Sequence, residues 1–187
     1  MNMTIRIMML LLILLAGCVA ASAQAPAWRI QFPCDRSFSI EVPAHLYEVT
    51  WFEGKHGPSI EPEEDRKNGG RAFVALQGTP KKRQFGVVVQ NVPPEERPAF
   101  VRKEFGGLYF VIGGDDATAT SQKIVLVNGL TGREYVYAKE IAEDTYTRGR
   151  IFYAAGRIYI IVFVGTSAED LGSQEAERFL NSFRIRG

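Results

Sequence analysis

The body of the chain is built from short runs in which apolar and polar residues alternate. Residues 28–32 and 38–42 show this period of two, which is typical of half-buried strands, and turn residues separate them. Further β-prone runs follow at 47–52, 72–76, 85–92, 120–127, 133–141, 147–154 and 157–164. Residues 158–164 are apolar without interruption, which predicts a central strand buried on both faces. Because tight turns join the later runs, we expect those strands to be antiparallel.

Two other segments follow the 3.6-residue period of helices. Prolines 93, 94 and 98 open the first, in which apolar residues between Phe100 and Ile112 share one face. Ser173 is suited to the N-cap of the second. The apolar stripe of that helix comprises Ala176, Phe179, Leu180 and Phe183. Strands and helices together predict a single α+β domain over residues 28–187.

The first 27 residues have a different character. An unbroken apolar run extends from Ile7 to Ala16, and Arg6 is the one charge in this region. The run is shorter than the about 20 residues that a membrane-spanning helix needs. It predicts a signal peptide over residues 1–17 instead.

Two processing sites compete behind this apolar run. Residues 15–18 (LAGC) resemble a bacterial lipobox, which makes Cys18 the acylated N-terminus and residues 18–27 a tether. Residues 21–23 (ASA) resemble an ordinary signal-peptidase site, and cleavage after Ala23 releases a soluble protein. The first predicts a lipid-anchored protein at the outer membrane or in the periplasm. The second predicts a soluble periplasmic or secreted protein.

Charge and cysteine content narrow the class of protein further. The chain has 22 basic and 21 acidic residues, and removal of Arg6 with the leader brings the net charge to zero. Nucleic acid is therefore excluded as the main partner, because phosphate neutralisation needs an excess of clustered Lys and Arg. Cys34 is the one cysteine besides Cys18, so no disulfide can form within the domain. We expect Cys34 to be a small buried apolar residue.

The sequence lacks the motifs of several well-known catalytic sites. The sequence contains no phosphate-binding loop, no G-x-S-x-G elbow, no H-E-x-x-H and no paired C-x-x-C. We therefore expect a non-enzymatic protein that uses no cofactor and no metal. His56 lies among acidic residues in the charged segment 53–71, which indicates either a binding site or, more simply, a solvated loop. The basic cluster 81–83 can contact anionic lipid headgroups or form a charged hairpin tip.

Arg148 and Arg150 are the strongest candidates for a binding role. They alternate with Gly149 along one predicted strand, so both guanidinium groups lie on one face of the sheet. Such a pair can bind a carboxylate or a phosphate. The alternative is pairing with Glu134 or Glu140 on a neighbouring strand.

The order of elements resembles the PsbP-like family. The residues that carry the resemblance are 38–43 (FSIEVP), 132–134 (GRE), 150–152 (RIF), 156–159 (GRIY) and 179–183 (FLNSF). The resemblance implies an antiparallel sheet, here of about six strands, sandwiched by helices as an α/β/α sandwich. It also implies a non-enzymatic accessory or binding role, as in relatives that act at photosystem II or bind a small GTPase. Export of this chain excludes a cytosolic GTPase as its partner.

The leading hypothesis is thus a non-catalytic, exported, lipid-anchored module that binds an envelope protein. The runner-up is a soluble small-ligand-binding protein with a pocket between helix and sheet. A hydrolase with an unrecognised site is a third alternative.

Overall fold

The computed structural model describes residues 27–49, 70–78, 83–102, 119–137 and 146–186. The strands are β1 (Arg29–Gln31), β2 (Phe38–Val42), β3 (Tyr47–Val49), β4 (Arg71–Gln77), β5 (Arg83–Asn91), β6 (Ser121–Val127), β7 (Leu130–Tyr137), β8 (Tyr146–Ala154), β9 (Arg157–Gly165) and β10 (Arg184–Ile185). The helices are α1 (Arg97–Val101), α2 (Ala168–Leu171) and α3 (Gln174–Ser182). Cys18, His56 and both processing sites lie outside the described residues, as does most of the predicted first helix.

Seven of these strands form one antiparallel sheet in the order β3-β4-β5-β9-β8-β7-β6. Strand β9 occupies the middle, between β5 and β8, which confirms the predicted central strand. The two-residue turns at 128–129 and 155–156 have positive φ at all four positions, as type I′ hairpins require. Since two residues suffice to reverse the chain, β7 begins at Leu130, earlier than the sequence pattern predicts.

A second, smaller sheet has the order β1-β2-β10. The predicted hairpin is present, with Arg29 opposite Val42. The last strand, which the pattern does not predict, adds to the other side of β2, with Arg184 opposite Ser39. Cys34 is exposed in the β1–β2 turn, which corrects the expectation of a buried residue. The tight turn, closed by the Arg36 amide donating to the Pro33 carbonyl at 2.9 Å, leaves no core for its side chain to enter.

Helix α3 packs on one face of the large sheet and the small sheet adjoins it. Ser173 is its N-cap, with the hydroxyl accepting from the Ala176 amide at 3.2 Å, as predicted. Its stripe is fully buried, and Phe179 meets the Phe85 ring edge-on at 5.2 Å between centroids. Phe183 stacks on Phe152 at 5.7 Å. Aromatic burial of this extent dominates the stability of such a core.

The opposite face of the large sheet has its own apolar cluster. Its buried members are Val92, Phe100, Tyr135, Tyr137, Ile151, Ile158 and Ile160. Helix α1 contributes Phe100, whose ring stacks on Tyr153 at 5.9 Å. The architecture is α+β, an antiparallel sheet with helices packed on it. Within the described residues, no helix is long and apolar enough to cross a membrane.

Candidate functional site

The two arginines singled out from the sequence lie on β8 beneath α3, and both meet one carboxylate. Arg150 Nε donates to Glu134 Oε2 at 2.7 Å, and Arg148 Nη2 donates to the same oxygen at 2.9 Å. Lys123 Nζ lies 3.1 Å from the other oxygen, Oε1. The alternative of pairing with Glu134 is the one that the structure contains, and strand register explains it because Arg150 is directly opposite Glu134.

The same two guanidinium groups also reach the helical layer. They donate to the main-chain carbonyls of Leu171 and Leu180, both at 2.9 Å. They also donate to the side chains of Glu177 at 2.6 Å and Asn181 at 2.8 Å. Carbonyls in the last turn of a helix lack intrahelical partners. The arginines therefore act as ties between the sheet and the helices above it.

We call Glu134 and its three cationic partners, Arg148, Arg150 and Lys123, the Glu134 network. Because Glu134 and both arginines are buried, the loss of one of these three would leave an unpaired charge inside the fold. Glu134 is 2% exposed, Arg148 7% and Arg150 4%. Burial raises the pKa of Glu134, but hydrogen bonds from the two arginines and Lys123 outweigh it and hold the pKa below its ordinary value. Burial also lowers the pKa of Arg148, and its carboxylate partners more than restore it. With these bonds in place, neither arginine presents a free guanidinium to a ligand.

A second charged group joins β5 to the short helix α2. Arg83 Nε donates to Asp170 Oδ1 at 3.0 Å, and Arg83 Nη1 meets Glu175. Asp170 also accepts from the Thr166 amide at 2.9 Å and closes a capping box with Ser167. Burial raises the pKa of Asp170, but these donors outweigh burial and hold the pKa below its ordinary value. Of the predicted basic hairpin tip, only Arg83 is described, and its charge is used within the fold.

The apolar stripe that faces the sheet from α3 and the residue after it is shielded from solvent. The facing side chains of Ala176, Phe179, Leu180 and Phe183 are 0% exposed. A cavity of about 200 Å³ instead lies at one end of the sheet, under the β1–β2 turn. Its lining residues are Asp35, Ser37, Arg71, Phe73, Val89, Asn91 and Arg157.

The charges around this cavity are paired with one another. Asp35 Oδ2 lies 2.8 Å from Arg71 Nη1, and Asp35 Oδ1 accepts from the Ser37 amide and hydroxyl. Arg71 is held further by a two-bond contact with Glu48, which raises the pKa of Arg71 and lowers that of Glu48. Among the described residues no group of three or more His, Cys, Asp or Glu is arranged to hold a metal ion.

Strand β6 forms an edge of the large sheet, and its exposed apolar side chains are unusual for such a position. It is seven residues long, and Ile124 and Leu126 are 69% and 72% exposed. The other edge of this sheet, β3, has three residues. Native proteins commonly shorten, charge or cover an edge strand, because its unpaired main-chain groups invite another strand.

Register shows which main-chain groups of β6 face outward. Val127 and Leu130 flank a two-residue turn, so they exchange both ladder hydrogen bonds. The alternation of an antiparallel ladder then turns Val125 and Lys123 towards β7. The N–H and C=O groups of Ile124 and Leu126 consequently point away from the sheet. The two residues with exposed side chains are also those whose main-chain groups pair with no other strand among the described residues.

Comparison with solved structures identifies the fold. The solution structure of cyanobacterial PsbP (CyanoP) from Synechocystis sp. PCC 6803 matches with a TM-score of 0.50 at 11% identity, covering 89% of this chain and 97% of that one. The chain has a PsbP-like fold. At this level of identity the similarity concerns the fold alone.

Two other structures match less well. A Pseudomonas aeruginosa protein of unknown function has a TM-score of 0.39 at 12% identity, over 80% of this chain and 89% of that one. A protein from Bacteroides thetaiotaomicron VPI-5482 has a TM-score of 0.41 at 12% identity, over 85% of this chain and 48% of that one. No family model matches the sequence, and no curated protein matches it either.

Proposed function

We propose that this protein is a non-catalytic, exported module of the bacterial cell envelope that is lipid-anchored through Cys18 and binds another envelope protein by strand addition at β6. The observation that carries the proposal is the outer edge of β6, which pairs with no further strand among the described residues and on which Ile124 and Leu126 are 69% and 72% exposed. In strand addition the main-chain bonds supply affinity, and alternate side chains supply specificity. The resemblance to exported bacterial members of the PsbP-like family agrees with such an accessory role.

The chemistry of β6 suits an extended peptide as the occupant. Lys123 is its one charged side chain, and its Nζ already lies 3.1 Å from Glu134 Oε1. The strand contains no proline. A partner segment with apolar residues at alternate positions can cover Ile124 and Leu126 while it pairs with their main chain.

The engagement of charged groups elsewhere supports binding over catalysis. Glu134, Arg148 and Arg150 are buried in mutual contact, and Asp170 is tied to Arg83. A catalytic acid or base must be within reach of its substrate. In the described residues these buried carboxylates face guanidinium groups instead.

The lipid anchor is tested by the intact mass of the mature protein. A mass that corresponds to a diacylated or triacylated Cys18 terminus supports the anchor. An N-terminus at Gln24 overturns it and favours the soluble alternative. This measurement does not depend on the identity of the partner.

Strand addition is tested with a matched pair of substitutions at one position. Ile124→Pro removes an outward N–H and costs no bond to β7, since edge positions tolerate proline where the N–H faces solvent. Ile124→Thr retains the N–H and the β-branched shape but removes apolar surface. With a photo-crosslinker at position 126, we expect the proline variant to lose the crosslinked envelope partner and the threonine variant to lose it in part. Equal crosslinking by wild type and Ile124→Pro overturns strand addition.

A soluble ligand-binding protein is the second candidate, favoured by the cavity under the β1–β2 turn. The volume of about 200 Å³ is below the 300–1,000 Å³ usual for ligand pockets. Since a cavity of about 150 Å³ can hold benzene, this one suits a molecule of roughly ten heavy atoms or fewer. A ligand that stabilises wild type but not Arg157→Gln, combined with an N-terminus at Gln24, favours this alternative.

A further inference from the structure

The outward face of the small sheet combines exposed apolar and basic side chains. Register places Ile30 opposite Glu41, and continuing it places Phe32 opposite Ser39, which Arg184 also faces from β10. Ile30 is 58% exposed and Phe32 43%. Both apolar side chains thus stand on the solvent side of β1.

Arginines surround these two residues. Arg184 and Arg186 are exposed, and the Arg186 guanidinium lies 4.4 Å from the centre of the Phe32 ring. Arg36 is exposed in the turn that joins β1 to β2. We call Ile30, Phe32, Arg36, Arg184 and Arg186 the basic–aromatic face.

Nearby carboxylates are already engaged by other arginines. Glu41 Oε2 accepts from Arg178 Nε at 2.7 Å. Asp35 is bound by Arg71 at 2.8 Å. The arginines of the basic–aromatic face form no ion pair with any acidic side chain that the structure describes. This region is therefore a local positive surface on a chain whose mature net charge is zero.

The basic–aromatic face follows the N-terminal tether closely in the sequence, which indicates that it contacts a membrane. Residues 19–27 separate Cys18 from β1 and span at most about 30 Å when fully extended. A lipid on Cys18 would keep the small sheet close to the membrane, so this step rests on the proposed anchor. The charge and exposure of the face do not depend on it.

We infer that the basic–aromatic face docks on an anionic phospholipid surface, with the arginines at the headgroups and Ile30 and Phe32 at the interface. Each basic residue near an anionic surface contributes measurable affinity, and apolar side chains add interfacial burial. Docking would fix the orientation of the domain. Strand β6 belongs to the other sheet and stays available to a protein partner.

The test uses the mature chain from residue 19, produced without leader or lipid, and vesicles of phosphatidylcholine with or without about one-third phosphatidylglycerol. We expect binding to the anionic vesicles, weakening as salt is raised, and little binding to the neutral ones. Arg184→Gln with Arg186→Gln should lower the partition coefficient about thirtyfold. The double lysine replacement, R184K/R186K, should retain most of the binding because the charge is kept.

The matched control removes two exposed arginines at the ends of helix α1, as R97Q/R102Q, and gives the same net charge. We expect it to bind as wild type does. Equal weakening by the control and by R184Q/R186Q, or equal binding to neutral vesicles, overturns the inference. Because the tested chain has no lipid, failure here is distinct from failure of the anchor, which the intact mass reports.

Discussion

Two pairs of arginines with the same spacing occupy opposite environments in this molecule. Arg148 and Arg150 flank Gly149 on β8, and Arg184 and Arg186 flank Ile185 at the end of the chain. The inner pair is nearly fully buried and shares the carboxylate of Glu134. The outer pair is exposed, and one member lies over Phe32. What differs is the layer above: α3 covers the first pair, and solvent covers the second.

The comparison shows why a short motif does not define a binding site. An arginine becomes a structural tie when a carboxylate and unpaired helix carbonyls lie within reach, as they do above β8. The same residue is available for a ligand when nearby carboxylates have other partners. Arg148 and Arg150, to which the sequence pattern assigns a binding role, tie the sheet to the helices. Arg184 and Arg186, to which it assigns none, are exposed.

The largest effect on stability is expected from removing the carboxylate that Arg148 and Arg150 share. Glu134→Ala leaves two buried guanidinium groups without their main counter-charge, so we expect it to lower the free energy of unfolding by about 3–5 kcal/mol. Urea denaturation of wild type and variant measures the difference. The triple variant E134L/R148M/R150M should be less destabilised than E134A, because it removes the uncompensated charges as well. If E134L/R148M/R150M is less stable than E134A, the ion pairs and hydrogen bonds of the network stabilise the fold by more than the compensation of buried charges explains.

Much of the fold could be predicted because most of its strands and α3 have a recognisable local sequence pattern. The central strand β9 is recognisable from seven consecutive apolar residues, and α3 from its stripe and its cap at Ser173. Strand β10 has two residues, too few for any period, and its existence depends on β2 lying nearby. The apolar and polar pattern of a two-residue segment contains no information about its pairing with β2, which is distant in the sequence.

The candidate sites were harder to predict for a related reason. Spacing places Arg148 and Arg150 on one face, but whether that face is covered depends on where α3 packs. Exposure of Ile124 and Leu126 depends likewise on β6 being the last strand of the sheet. The sequence pattern predicts which residues share a face, and tertiary neighbours decide whether that face meets the core or a partner.

Acid titration should lower the unfolding free energy by less than Glu134→Ala does, because a protonated Glu134 still accepts hydrogen bonds. The folded protein holds the pKa of Glu134 below the ordinary value of 4.5. A carboxyl whose pKa is lowered by folding adds stability above its unfolded pKa, and that contribution disappears as pH falls through the folded pKa. Unfolding free energy should therefore fall more steeply for wild type than for Glu134→Gln between about pH 5 and pH 3. R184Q/R186Q should follow the wild-type slope, and parallel curves for wild type and E134Q would contradict the expectation.

Arg178 provides an intermediate case between the inner and outer pairs. It is half-exposed, donates to Glu41 at 2.7 Å and lies 4.8 Å from the centre of the Trp28 ring. Arg178→Gln should lower the free energy of unfolding by about 1 kcal/mol, the range of a partly exposed ion pair with a cation–π contact. Arg178→Lys should recover part of the loss. A loss as large as that of E134A would show that exposure does not rank these arginines.

The smallest effect on stability is expected at the outer pair, where function predicts the largest effect on binding. R184Q/R186Q removes two exposed charges that pair with no acidic side chain among the described residues, and it also removes the guanidinium that lies over the Phe32 ring. The free energy of unfolding should change by no more than about 0.5 kcal/mol. Urea denaturation of the preparations used for vesicle binding makes the two results directly comparable. A decrease of about 2 kcal/mol or more would make the outer arginines structural like the inner ones. Unchanged stability with weakened vesicle binding would instead show that the two pairs differ in role. Their spacing in the chain is the same, so the difference would come from the layer that covers each pair, which is α3 for the inner pair and solvent for the outer pair.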